Sequence, residues 1–315
     1  MGMARSAIIA FVVLTSGGCL HTQTYAQTHI SGAEVKLPPT PNVRNPSAAT
    51  KKMSEPNSDK KFLKNLPRNF EFPADDAGKL LFREYGAVFV AGKDAISPKK
   101  VVFRDEADVL AFQSSLKLSS ESIGGYKVEL QSAAMAALMD AISDARLHGL
   151  SISPRGRDSA RRGYTQTVSL WASRVNPGFV HWVARGRVTR TEADRIRTLT
   201  PFEQVPEILR LEQQGIYFAK DLSKSIIYSV APPGASQHLS MLALDVKEFD
   251  DARVREILAQ RGWYQTVVSD LPHFTFLGHR ESELPKRGLK KIENGGRKYW
   301  VPDLADPKSM LTEIK

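Results

Sequence analysis

The sequence predicts an α+β fold, and three observations carry that prediction. Residues 131–148 hold the clearest helical period in the chain: Met135, Leu138, Ile142 and Ala145 recur at three- and four-residue steps, and Gly149 closes the run. Short apolar runs at 126–130, 241–246 and 273–277 read as strands, bounded by Gly, Pro and polar residues. Helix and short strand alternate without the regular βαβ repeat of a parallel sheet.

The chain has 315 residues, 42% of them apolar, enough for one large domain or two small ones. Its formal net charge of +10 could serve nucleic acid, an anionic membrane surface or an acidic polymer. The distribution argues against nucleic acid. Residues 21–70 hold eight Lys/Arg against three Asp/Glu, so about half of the excess lies in what reads as a tether. No Lys/Arg-rich helix with interleaved aromatics occurs.

Residues 1–19 read as a secretory signal: Arg5, a short apolar core over 7–14, then Ser16, Gly17 and Gly18. That core is too short for a membrane span. Cys19, the single cysteine, stands where a bacterial lipoprotein carries its acylated cysteine, although Ser16 replaces the usual Leu. Two readings stay open, membrane anchoring through a lipidated Cys19 and plain cleavage nearby. Either way no later cysteine remains for a disulfide or a catalytic thiol. Residues 20–70 are rich in Pro, Ser, Asn and Lys, lack a hydrophobic period and read as a disordered tether.

Residues 71–120 read as an N-terminal addition packed on the main domain. It has strands at 87–90 and 101–103, and a helix over 105–116 with Val109, Leu110 and Phe112 inward. The main domain is expected over 121–280. A short strand at 150–153 runs into a polar loop. Residues 164–174 form a helix with Leu170 and Trp171 inward. A helical insertion spans about 190–215, and 225–230 is a strand. Pro232, Pro233 and Gly234 make a turn, and 254–260 is a helix ended by Gly262. His181 lies in an apolar segment without a carboxylate at ligand spacing and reads as structural. Residues 281–315 are polar and basic and read as a surface extension.

The chemistry concentrates in 232–278. His238 and Asp245 lie in a run that alternates as a strand should. Leu242, Leu244 and Val246 fall on one face, and Met241, Ala243 and Asp245 on the other. His273 opens a second apolar strand. Two imidazoles and a carboxylate are the ligand types of a catalytic zinc, with the fourth position left to water. Asp270, three residues before His273, could take a proton from that water. The competing reading is two hydrogen-bonded core histidines. It leaves the strand aspartate without an account, because an unpaired buried charge is costly.

Ser236-x-His238-x6-Asp245, then Gly262-Trp263 and Asp270-Leu-Pro-His273-Phe274, resembles VanY-like D-alanyl-D-alanine carboxypeptidases, with their S-x-H-x-x-G-x-A-x-D and E-x-x-H-F motifs. Ser236, His238, Ala243, Asp245, His273 and Phe274 match. Met241 stands in place of Gly, and Asp270 in place of Glu. The resemblance implies the lysostaphin / D-Ala-D-Ala metallopeptidase / hedgehog architecture: a small, mostly antiparallel sheet with flanking helices and Zn²⁺ held on adjacent strands by His238, Asp245 and His273. It implies that Asp270 is the general base and that Ser236 bonds substrate or a ligand. It also implies an arginine that holds the terminal carboxylate of a peptidoglycan stem peptide. Arg155, at a strand end, and Arg162, in Ser159-Ala-Arg-Arg162-Gly-Tyr164, are the two candidates, since a guanidinium fork binds a carboxylate bidentately. The implied activity is a D,D-carboxypeptidase in the periplasm or cell envelope. A peptidoglycan endopeptidase of the same fold, or a wall-binding module weakened at Met241 and Asp270, are the alternatives.

Overall fold

The structure, a computed structural model, describes residues 58–92 and 94–304. The signal segment, Cys19 and residues 20–57 of the expected tether lie outside them. No helix among the described residues is long and apolar enough to cross a membrane.

Three helices precede the domain expected to begin at 121. The tether expectation fails at its end: α1 (Ser58–Lys64) buries Phe62 completely, edge-on to Phe82 of α2 (Asp76–Tyr85). Residues 87–90, expected as a strand, belong to a buried 3-10 turn, Gly86–Val90. A short apolar run with no polar face has no period to tell the two apart. Residues 101–103 likewise form no strand; Phe103 N–H instead donates to Gly234 C=O at 3.0 Å. Helix α3 (Glu106–Ser114) is N-capped by Asp105, but Leu110 points outward and only Val109 and Phe112 turn to the core.

Strands β1 (Leu118–Ile123) and β2 (Tyr126–Gln131) pair antiparallel across Gly124 and Gly125. Both glycines have positive φ, which suits a two-residue hairpin turn. Helix α4 (Ser132–Leu147) follows directly and buries Ala134, Met135, Leu138, Ala141, Ile142 and Ala145 on one stripe. The 150–153 segment forms no strand; a single antiparallel bridge, Pro154 to Val246, marks its end.

Helix α5 (Tyr164–Ala184) runs ten residues past its expected end, through Pro177. Trp171, Val175 and Phe179 are buried four residues apart, and this packing overrides the Asn-Pro-Gly breakers. Leu170, expected inward, is 41% exposed. His181 sits in the last turn of α5, edge-on to Trp182. Helices α6 (Arg190–Thr198) and α7 (Pro201–Glu212) occupy the expected insertion. The strand expected at 225–230 is a 3-10 turn, Ile226–Tyr228.

The central sheet has three antiparallel strands in the order β3 (Ala243–Asp245), β5 (His273–Phe276), β4 (Trp263–Tyr264), with α8 (Ala252–Gln260) between β3 and β4 in sequence. Residues 281–302, expected only to wrap the surface, make a 3-10 turn and an antiparallel hairpin of β6 (Leu289–Asn294) and β7 (Arg297–Pro302). The hairpin buries Leu289, Tyr299 and Trp300 and leaves Lys290 and Lys298 exposed. The fold is α+β, with small antiparallel sheets and flanking helices.

Candidate metal centre

Asp245 and His273 face each other across the sheet as register partners of β3 and β5. Val246 N–H donates to Pro272 C=O at 2.8 Å, so the next pair inward is a non-hydrogen-bonded one, where opposed side chains approach most closely. His273 and Thr275 point to one face of β5 and Phe274 to the other, where it lines a separate cavity of about 630 Å³ that holds no His, Cys or Asp. His238 arrives from a 3-10 turn, Gln237–Ser240, and not from the strand expected of its alternation.

The turn before it needs a glycine. Gly234 has φ +78, and a Cβ there would lie 1.9 Å from Phe103 O. The turn after it closes on Met241, whose φ of 57 and ψ of 28 are left-handed, at the position where the resembling family carries glycine. Met241 is fully buried.

The three side chains converge. His238 Nε2 lies 3.2 Å from Asp245 Oδ1, His273 Nδ1 lies 3.3 Å from the same oxygen, and the two ring nitrogens are 3.2 Å apart. All three ligand atoms fall within 4.8 Å of one another. Each imidazole is fixed by its other nitrogen. His238 Nδ1 donates to Ala160 C=O at 2.7 Å. His273 Nε2 donates to Gln237 Oε1 at 2.9 Å. Gln237 Nε2 in turn donates to Tyr85 C=O at 2.8 Å, which fixes which end of the amide accepts. Both inward nitrogens are therefore left with lone pairs aimed at a carboxylate oxygen. Three such acceptors repel one another unless a cation stands between them, so the donor set fits a metal ion such as Zn²⁺.

The protonation states agree. Burial holds the His238 imidazole below its ordinary value of 6.5, hence neutral. Burial alone would raise the Asp245 carboxyl, yet it is held well below the ordinary 3.8 and is ionised. A neutral imidazole and an ionised carboxylate are the forms that ligate.

The other expected residues surround this cluster in a cleft of about 280 Å³. Asp270 lies in it, on the turn into β5, where its C=O accepts from His273 N–H at 3.2 Å. Ser236 lines it, and its hydroxyl makes no hydrogen bond among the described residues. The loop carrying both arginines is pinned along the open edge of β3: Arg155 N–H donates to Asp245 C=O at 2.9 Å, and Asp245 N–H to Ser159 C=O at 2.8 Å. The two guanidiniums then differ. Arg162 Nη2 donates to Asp245 Oδ2 at 2.7 Å. Arg155 is exposed on the cleft and has no acidic partner among the described residues.

Three cleft residues escape sequence reasoning: Tyr85, Gln237 and Arg174. Tyr85, whose O–H donates to Ile227 C=O at 2.8 Å, arrives from α2, in the segment read as a mere addition. Gln237 sits between two motif residues and carries no charge to flag it. Arg174 fits an ordinary polar helical position.

Fold and site together define an α+β protein with a buried His–Asp–His cluster able to hold a metal ion. No protein-family model matches the chain, and no curated protein matches it. Among solved structures, the chain is similar to the crystal structure of a mutant of VanY, the vancomycin-resistance D,D-pentapeptidase from a VanB-type cassette, in complex with Zn(II). The identity is 17%, over 52% of this chain and 79% of that one, with a TM-score of 0.29.

Proposed function

We propose that the protein is a zinc-dependent D,D-carboxypeptidase that removes the terminal D-alanine from peptidoglycan stem peptides. The observation that carries this reading is the tautomer-locked convergence of His238 Nε2, His273 Nδ1 and Asp245 Oδ1 at the floor of a cleft shared with Asp270 and an unpaired Arg155. The Ser236–Asp245 and Asp270–Phe274 motifs support the same class.

Zn²⁺ bound by the three side chains would supply Lewis-acid polarisation of the scissile carbonyl and acidify water. Asp270 takes the proton of the attacking water and returns it to the leaving amine. Arg155 holds the terminal carboxylate through two parallel N–H bonds, which selects the chain end over an internal bond. Arg162 does different work: it ties down the far oxygen of Asp245, so the near one stays aimed at the metal. Ser236 offers its hydroxyl to the substrate. Export to the cell envelope follows from the sequence of residues 1–19, and anchoring through Cys19 belongs to the same reading.

The test is incubation of the zinc-loaded protein with isolated muropeptides, read by mass. Loss of one alanine from pentapeptides, abolished by a chelator, is the expected result. Conversion of cross-linked dimers to monomers would replace the carboxypeptidase by an endopeptidase. Unchanged muropeptides, with zinc shown to be bound, would leave a wall-binding module.

A further inference from the structure

The cleft holds one guanidinium more than a single terminal carboxylate requires. Thr167, Leu170 and Arg174 follow one another along one face of α5 at helical spacing, and all three line the cleft that contains the His–Asp–His cluster. Helix α5 begins at the cluster. Ala160 and Arg162, just before it, touch His238 and Asp245. Arg174 then lies ten residues along the axis from Tyr164, or about 15 Å at 1.5 Å per residue.

Its surroundings orient it without neutralising it. Nε donates to Ser229 Oγ at 3.0 Å and Nη1 to Ser173 Oγ at 2.9 Å, both neutral acceptors. Among the described residues no carboxylate pairs with Arg174, whereas Arg161, Arg195, Arg210 and Arg261 each rest on one. The carboxylates within the cleft are Asp245, already bound by Arg162, and Asp270. Two guanidiniums, Arg155 and Arg174, therefore line the cleft with no ion-pair partner among the described residues, one beside the cluster and one three turns away from its end of α5.

We propose that the cleft selects a peptide with two carboxylates, and that Arg174 binds the second one. This rests on the carboxypeptidase reading, in which Arg155 takes the terminal carboxylate. An extended peptide advances about 3.3 Å per residue. The span along α5, shortened by the reach of the arginine itself, puts the second carboxylate roughly two to four residues upstream of the C-terminus. Two chemistries supply one there: the side-chain carboxylate of a diamino diacid, or the free α-carboxylate of a glutamate linked through its γ-carboxyl. Both make the same planar, bidentate partner for a guanidinium.

The experiment uses the full-length zinc-loaded protein and four synthetic pentapeptides ending in D-Ala-D-Ala. The third residue from the C-terminus is lysine or diaminopimelate. The fourth is γ-linked D-glutamate with its α-carboxylate free or amidated. Binding is measured by calorimetry on the Asp270→Asn protein, and KM and kcat on the unaltered one. The expected result is about tenfold tighter binding of the peptides carrying the extra carboxylate, seen in KM more than in kcat. Arg174→Gln should collapse that ratio to about one, and Arg174→Lys should keep part of it. Whether the third or the fourth residue sets the ratio identifies the source. Equal binding of all four peptides, or a ratio unchanged in Arg174→Gln, would overturn the proposal. Absence of turnover with the binding preference intact would strike the carboxypeptidase reading and leave this one standing.

Discussion

Arg162 and Asp245 are joined at 2.7 Å through Nη2 and Oδ2, while Oδ1 of the same carboxylate faces His238 and His273. One oxygen is thus held by the protein and the other is free to ligate. Arg162→Gln should weaken zinc binding by about 10- to 100-fold, read by competition with a chromophoric chelator. Were Arg162 the clamp for the substrate's terminus, KM would rise and zinc affinity would stay as it is.

Gln237 fixes His273 from the opposite side. Gln237→Leu removes the acceptor for Nε2–H and also leaves Tyr85 C=O without its donor. The expected outcome is roughly tenfold weaker zinc binding and a loss of about 1–3 kcal/mol in folding stability. Gln237→Glu, which keeps the acceptor, should retain the metal. Nitrogen chemical shifts of the imidazoles would report the tautomers directly, and a His273 ring protonated at Nδ1 in the unaltered protein would contradict this arrangement.

Asp270 lines the cleft but stands outside the ligand cluster. Asp270→Asn should therefore keep zinc at full occupancy and lower kcat by about 10²- to 10⁴-fold. Normal turnover in that variant would remove Asp270 from its assigned role. Asp270→Glu restores the longer arm of the resembling family and tests whether the shorter one limits the rate.

What could be read from the sequence was the set of groups that ordinary packing does not explain. An aspartate and a histidine in one alternating apolar run and a second histidine opening the next strand call for a partner, and they meet. The environment of those groups was hidden because it is made by contacts far along the chain. Arg162 is 83 residues from Asp245, and Gln237 is 36 from His273. Local pattern misled at 86–90, which is wholly buried, and at 226–228, where Ile226 and Ile227 are buried and Tyr228 is exposed: both are 3-10 turns, and a short apolar run reads the same in either geometry. It also stopped α5 at its breakers, where the buried stripe of Trp171, Val175 and Phe179 carries the helix on. Leu170 and Arg174, together on one flank of that stripe, were free to face the cleft.

Met241 tests two opposed effects. Its left-handed backbone costs about 1–2 kcal/mol relative to glycine. Its fully buried side chain is worth more, since truncating a core methionine costs about 2–5 kcal/mol. Met241→Gly should thus be destabilising by about 1–3 kcal/mol in urea denaturation. A gain in stability would mean that the strain outweighs the packing.

Glu212 gives a pH signature. It accepts from Phe218 N–H at 3.0 Å, Ile226 N–H at 2.7 Å and the Ser225 hydroxyl, and so fixes the segment leading to the Tyr228–Ala231 wall of the cleft. Burial raises its carboxyl above the ordinary 4.5 in spite of those bonds. The folded state then holds this proton to higher pH than the unfolded chain does. Its contribution is full below 4.5 and declines as pH rises through the folded value. Relative to Glu212→Gln, the unaltered protein should lose stability over that interval, measured by denaturation at a series of pH values. A difference independent of pH would show that the carboxyl titrates alike in both states.

The pairing of β3 with β5 has a further consequence. Because Asp245 meets His273 directly, and strand side chains alternate, a shift of one residue would set Phe274 against the carboxylate and turn His273 toward the other face. β3 offers only three residues to hold that alignment. Chain length between Pro272 and Thr275 is therefore the property this protein has least freedom to vary. Changes of residue there can be graded in their effect, while a single insertion or deletion removes the centre at once.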